Sequence, residues 1–386
     1  AGLPMFGDLA RALSGQGPLN WDAARQFALL SASGGSALTG SPTSVPSGNV
    51  DPSVRIRYAE LADIARLHVA DVMQLDVPAI EPAVATPEQW ALQTLDAYRP
   101  LFTELATSLG PTDDASGNAN DDPMAAMMAG IGKMMAPAML GMSVGSMVGN
   151  LAKSAFGVYD LPIPRATPSL VFVPATIDAF ADAWSIHLDE MRLWVISHEL
   201  AGLTLFSIPH IADHLRALVQ RHVGAFRPDP SAITDKLTSL DVAGGDPMAA
   251  MQAAFGDPEV LLGAVRSQEQ IDMEPLLDTA VAVTIGVIDW VVDAVAVRVI
   301  GGNALQIAEA VRRRRAESSP DDIFVERLLG IRLGNEQTAR GKHFVQGVVD
   351  RAGEHGLEPL FTSASAVPTP NEIEAPGLWL ARVGES

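Results

Sequence analysis

The sequence predicts a mainly α-helical fold carrying one small β element near residues 168–174. Three observations lead to that class. Segment after segment repeats its apolar residues at the three- and four-residue spacing of a helix. Only Leu170-Val171-Phe172-Val173 gives a short β-branched and aromatic run bounded by turn residues. Thirty-three Gly and 27 Pro with 5% aromatic residues describe many short connections around a core of Ala, Leu, Val and Met. A chain of 386 residues can bury a large core and is expected to form two or three packed subdomains. We place an N-terminal helical region at 1–122, with a mobile linker at 31–52, and a larger helical domain at 123–386.

Charge and cysteine content narrow the function classes. Lys and Arg total 26 against 46 Asp and Glu, a net charge of −20. Such a surface repels phosphate backbones and anionic headgroups, so neither nucleic acid nor membrane is the expected partner. A protein or small-molecule partner stays open. With no cysteine there are no disulfides and no thiolate metal ligands, which fits a cytoplasmic protein. The opening Ala1-Gly2-Leu3-Pro4-Met5 lacks a basic and then apolar leader pattern, so no signal peptide is expected.

Taken in order, Phe6–Leu13 and Trp21–Leu30 read as helices, the second opened by Asn20 as N-cap. Residues 31–52 are rich in Gly, Ser and Pro and read as linker. From Val54 to Leu75 the residues Ile56, Leu61, Ile64, Leu67, His68 and Val72 suggest one apolar helix face, with His68 a core or boundary histidine. Thr86-Pro87-Glu88-Gln89 is a helix start that leads into a helix over Trp90–Leu109. Gly110–Asp122 is acidic and loose. The Met-, Ala- and Gly-rich stretch 123–158 is expected to be a buried hairpin of helices rather than a membrane span. Lys133 and Pro137 interrupt it, and Gly141, Gly145 and Gly149 allow close packing. After the β element come a helix over Ile177–Trp184, then a central helix, then one opened by Pro209. Gly244-Gly245-Asp246-Pro247 and Gly256-Asp257-Pro258 mark two further helix starts. Met273–Ile300 is a long apolar helix with Asp278, Asp289 and Asp293 set in it. Arg312–Arg315 reads as the solvated C-terminal end of a helix, where cations suit the dipole. A helix over Asn335–Ala352, a turn at Leu357–Phe361 and a last amphipathic segment docked through Trp379 complete the chain.

Chemistry concentrates on the central helix, Trp194 to Phe206. Leu193, Val195, Ile196, Leu200, Leu203, Leu205 and Phe206 run nearly all round it, so it should be buried. His198 and Glu199 inside such a helix cost free energy unless paired or metal-bound. Their spacing invites comparison with H-E-x-x-H, where two histidines one turn apart hold zinc and the Glu activates its water. Here the fifth residue is Gly202. A second histidine pair, His210 and His214, stands four residues apart with Asp213 between, but in the first turns after Pro209, where exposed polar residues are usual. No nucleophile elbow, phosphate-binding loop or dinucleotide fingerprint is present.

Several blocks in order resemble the zincin-like metallopeptidase type 2 family, many of whose members are candidate hydrolases of unknown substrate and some of which are associated with deazaflavin coenzyme biosynthesis. They are Gln16-Gly17-Pro18-Leu19-Asn20-Trp21, the Gly/Met block ending Tyr159-Asp160-Leu161-Pro162, and Trp184 with Asp189-Glu190 and Arg192-Leu193-Trp194. His198-Glu199-Leu200-Ala201, Pro209-His210 and Val291-Val292-Asp293-Ala294-Val295 complete the set. The resemblance implies a zincin-like multi-helix fold, with zinc as the cofactor of active members. It also implies a second histidine where this chain has Gly202 and a glutamate ligand where it has Ile285. Two of three protein ligands are thus replaced, and a catalytic zinc needs three. The expectation is a non-catalytic homologue with a scaffold or binding role, holding no zinc, with His198 a vestigial ligand and Glu199 a vestigial general base. They would be kept through hydrogen bonds to each other or to Arg192 or Asp289. Two alternatives stand beside it. One is a metal-dependent hydrolase using His198 and Glu199 with unusual ligands such as His210 or His214. The other is a small-molecule binder using the former cleft.

Overall fold

A computed structural model describes residues 17–34, 50–109, 123–227, 267–317, 326 and 328–384, with side chains from residue 136 onward in the third span. The helix expected at Phe6–Leu13, the linker beyond residue 34, the segment 110–122 and the two Gly-Asp-Pro helix starts lie outside the described residues.

The fold is mainly helical, with fourteen α-helices among the described residues and a single two-stranded sheet. In order these are α1 (Trp21–Ala32), α2 (Pro52–Met73), β1 (Ala83–Val84), α3 (Pro87–Ala97), α4 (Arg99–Ser108) and α5 (Pro123–Ala152). Then follow β2 (Val171–Phe172), α6 (Pro174–Ala183), α7 (Leu188–Phe206), α8 (Pro209–Gly224) and α9 (Gln268–Val299). The chain closes with α10 (Ala304–Ala316), α11 (Asn335–Ala352), α12 (Glu358–Thr362), α13 (Pro370–Glu374) and α14 (Pro376–Gly384). β2 lies where the β-branched run placed it and pairs in parallel with β1, Ala83 opposite Val171 and Val84 opposite Phe172. Two-residue β1 carries no periodic signal of its own.

The chain forms two compact units, each built from separated segments: Ala1–Pro42, Ala91–Ala152 and Gln220–Asp272 in one, Thr43–Trp90, Lys153–Val219 and Met273–Ser386 in the other. In the first, Asn20 caps α1 through Oδ1, which accepts from Asp22 N at 3.1 Å and Ala23 N at 3.0 Å. The expected hairpin at 123–158 is instead one continuous helix to Ala152, with Pro137 inside it. What makes the close packing is α1. A Cβ at Gly141, Gly145 or Gly149 would lie 2.3, 2.1 or 2.4 Å from the carbonyl oxygens of Asn20, Ala24 and Ala28. The four-residue glycine stripe faces a four-residue stripe of small residues, so the two backbones nearly touch. The helix expected over Trp90–Leu109 breaks at Tyr98, and Pro100, which cannot donate to the ladder, sits in the first turn of α4.

In the second unit α2 packs on α7. The buried face of α2 is Tyr58, Leu61, Ala62, Ala65, Val69 and Val72, whereas Ile56, Ile64 and Leu67 are 61, 45 and 72% exposed. Two apolar stripes overlap in this helix, and the one with small alanines, which permits a close helix approach, is the one buried. Of the described helices α9 is long and apolar enough to cross a membrane, but 78% of its most apolar stretch is covered by the fold. It approaches α11 closely: a Cβ on Gly286 would meet Gly341 backbone at 2.4 Å. Trp379 docks as expected, fully buried, edge-on to Phe344 at 5.4 Å and donating from Nε1 to the Ala366 carbonyl at 2.6 Å.

Gly145→Ala should destabilise the protein by about 1–3 kcal/mol in denaturant unfolding, because α1 and α5 must separate to admit the methyl. Gly302→Ala, where a Cβ meets nothing within 4 Å, serves as the control and should change little.

Candidate functional site

Helix α7 is buried from Met191 to Leu205 except at Leu193. Asp189 and Glu190 in its first turn complement the positive end of the helix dipole. Asp189 is held by Arg57 at 2.6 Å, and Arg192 is fixed on Asp178 at 2.7 Å. Arg192 is therefore not the partner of His198 or Glu199.

Glu199 is fully buried. Its Oε2 accepts from Val158 N at 2.6 Å and Tyr159 N at 3.0 Å, and its Oε1 lies 3.2 Å from Tyr159 N. The carboxylate thus binds the main chain of the loop that precedes β2. Gly157 makes this approach possible, since a Cβ there would sit 2.3 Å from Glu199 Cδ. The same loop is tied on its other side: Trp90 Nε1 donates to Gly157 O at 2.8 Å, and Val173 N to Phe156 O at 2.9 Å. Asp160 closes the loop on itself, with Oδ2 accepting from Phe156 N at 2.5 Å and Gly157 N at 3.4 Å.

His198 is 7% exposed, stacks on Trp194 with centroids 5.7 Å apart, and places Nδ1 3.3 Å from Glu199 Oε1. Asp160, His198 and Glu199 bring potential ligand atoms within 4.8 Å of one another, and this is the group of metal-ligating size found among the described residues. Burial pushes the Glu199 carboxyl above its ordinary range, against the opposing influence of His198 and the Tyr159 amide.

The donor set does not match a catalytic zinc, which takes three protein ligands and leaves a fourth position for water, with a separate carboxylate as base. One imidazole is present. Glu199 cannot be ligand and base at once, and both carboxylates already accept main-chain N–H groups. At Gly202 a Cβ would lie 2.9 Å from both Cβ and Cγ of Tyr159, whose ring also leans on Phe206 at 5.8 Å. Tyr159 occupies the room a ligand side chain at 202 would need. Ile285 is 8% exposed and belongs to the apolar core.

The second histidine pair forms no such cluster. His210 Nε2 is 2.9 Å from the Leu360 carbonyl, and Asp213 is exposed in an ion pair with Arg216. His214 faces a cleft formed with Leu205, Ile211, Thr284, Val287 and Leu360, where burial lowers its pKa and keeps it neutral at pH 7. That cleft offers about 30 Å³ of room, enough for two or so water molecules.

The arginine run differs from its expected solvated role in its second half. Arg312 and Arg313 are exposed on Glu309. Arg314 lies over the Phe156 ring at 3.7 Å and donates to Ser154 O, while Arg315 donates from Nη1 alone to both oxygens of Asp289, at 2.9 and 3.0 Å. Asp289 is 5% exposed. Burial alone would raise its pKa, and Arg315 with Lys342 overcomes this and holds it low. Asp160, Tyr159, Gly157 and Arg315 were not singled out as site residues from sequence. The first three stand in a block that marked the family, but nothing in the chain shows that residue 199 is the acceptor for 158 and 159.

A buried helix bearing His-Glu, a short parallel β pair and a surrounding set of helices define a metallopeptidase-like protein. The chain belongs to the zincin-like metallopeptidase family, whose model matches residues 19–380. Its fold is similar to that of a candidate hydrolase with a novel fold from Chloroflexus aurantiacus, with TM-score 0.64 and 19% identity over 95% of this chain and 99% of that one. No curated protein sequence matches.

Two outcomes follow. Gly202→His should destabilise the fold by about 1–3 kcal/mol, since the new side chain collides with Tyr159; adding Tyr159→Ala should recover part of that loss, read by thermal unfolding. Glu199→Gln should cost about 1–3 kcal/mol by setting an amide NH₂ against main-chain donors.

Proposed function

We propose that this chain is a non-catalytic member of its family with a scaffold or binding role, in which the His-Glu helix has become a structural anchor. The observation that carries this reading is the use of the Glu199 oxygens. A general base must present a lone pair to a reacting water, and these oxygens accept the amides of Val158 and Tyr159. Gly202 and Ile285 at the two ligand positions support it, because neither offers an electron pair. With a net charge of −20, the partner is a protein rather than nucleic acid or an anionic membrane, and the setting is the cytoplasm.

A second reading keeps an enzyme: a metal-dependent hydrolase in which Asp160 joins His198 and Glu199 around the ion. The convergence of those three groups within 4.8 Å favours it. Metal analysis of protein purified without chelators separates the two. We expect zinc far below one per chain and no chelator-sensitive cleavage of peptide or amide substrates. Stoichiometric zinc, with hydrolysis abolished by Glu199→Gln, would establish the enzyme instead.

A further inference from the structure

The outward stripe of α2 takes no part in the core, yet it is built of large apolar side chains. Nine such side chains are exposed among the described residues. Six of them, Ile56, Ile64, Leu67, Leu188, Val297 and Leu305, stand on elements tied to one another at one face of the second unit. We infer that this face is the docking surface for a cationic amphipathic helix of a partner protein. It deepens the binding role proposed above and rests on that reading for the partner's being a protein.

Three polar ties gather these side chains. Arg57, next to Ile56, holds Asp189, next to Leu188, with Nη2 2.6 Å from Oδ2. Asn303, two residues before Leu305, donates to Glu190 Oε2 at 3.0 Å. Arg298, next to Val297, reaches Asp71 Oδ2 at 2.5 Å, and Asp71 stands one turn beyond Leu67 on the same side of α2. The end of α9 and the start of α10 are thus joined to α2 at its last turn and to α7 at its first. From Ile56 to Leu67 the stripe extends about 17 Å along the helix axis, which matches three turns of a partner helix. Clustered exposed apolar side chains with a polar rim mark an interaction site, and a helix docks on such a stripe through residues at helical spacing.

The rim selects the partner. Five carboxylates, Glu60, Asp63, Asp71, Asp189 and Glu190, surround the stripe against the guanidiniums of Arg55, Arg57 and Arg298. Arg66 gives its donors to the carbonyls of Pro78 and Ile80, and Arg192 is fixed on Asp178. Arg57 is shared between Glu60 and Asp189, and Glu190 is met by an amide alone. Lysines or arginines flanking the apolar residues of a partner helix would complement this surplus. A second copy of the chain would bring the same carboxylates and another net charge of −20, and an anionic membrane is opposed in the same way.

The chain has no cysteine, so Leu67→Cys in the full chain supplies a single thiol in the stripe. The probe is a peptide of about 18 Leu and Lys residues at amphipathic helical spacing, with a scrambled peptide of the same composition as control. Iodoacetamide should label the free protein rapidly, and saturating probe should slow labelling at least about tenfold, since a docked helix covers the thiol. By calorimetry, Ile56→Ser/Leu67→Ser should weaken probe binding at least about tenfold with the unfolding midpoint kept, and Asp63→Lys should weaken it too. If the double variant is poorly folded, protection of Leu67→Cys carries the test alone. Equal binding of the scrambled peptide, or no protection by the probe, reduces the effect to charge and overturns the docking surface. So does slow labelling of the free protein, which assigns the face to a segment of this chain when the protein is monomeric and to a second copy when it sediments as a dimer. Protection by neutral lipid vesicles and not by the probe overturns it in favour of a membrane. Zinc content and hydrolysis, measured separately, decide the non-catalytic reading, so either can fail without the other.

Discussion

The attachment of the Glu199 carboxylate to the amides of Val158 and Tyr159 is the contact on which the second unit is assembled. Through it the loop at 156–160 is fixed to the most buried helix of the chain. From that loop the backbone passes to β2, and β2 pairs with β1, which leads into the helix bearing Trp90. Trp90 returns to the same loop by donating to Gly157. A charged group at zero exposure is costly unless its hydrogen-bonding capacity is met. Here it is met by the main-chain donors of Val158 and Tyr159.

Glycine is what lets such contacts form, and it recurs wherever two backbones or a backbone and a buried side chain meet. Gly157 admits Glu199, Gly202 admits the Tyr159 ring, Gly286 and Gly341 admit each other, and the stripe Gly141, Gly145, Gly149 admits α1. The second of these bears directly on chemistry. The absence of a side chain at 202 leaves no open space, because the Tyr159 ring packs over that position.

Much of this was legible in the sequence. The helical class, the β run at 170–173, the Asn20 cap, the burial of the His-Glu helix and the docking of Trp379 all follow from local patterns, which act over a few residues and are written in one stretch of chain. What could not be read is pairing at a distance. Glu199 meets residues forty positions earlier, Asp289 meets Arg315 from the next helix, and Ile64 and Leu67 lie outside because α2 has two apolar stripes and α7 covers only one. The continuous α5 was missed for a related reason: Pro137 reads as a break, but a long helix tolerates it when a second helix packs along its length.

The presence of an intact His-Glu pair is therefore weak grounds for assigning chemistry to this chain. In a zincin those residues are defined by what they leave open: a metal face on the histidine and a free lone pair on the glutamate. In this protein the imidazole is stacked on Trp194 and turned toward Glu199, and the glutamate oxygens are engaged with main-chain donors. Arg314 and Arg315, the inward half of the arginine run, pair with Asp160 and Asp289. A histidine placed at 202 would meet the Tyr159 ring, and the Glu199 oxygens would still be shared with the amides of Val158 and Tyr159. A motif read along the chain therefore says nothing of which neighbours have taken up its atoms.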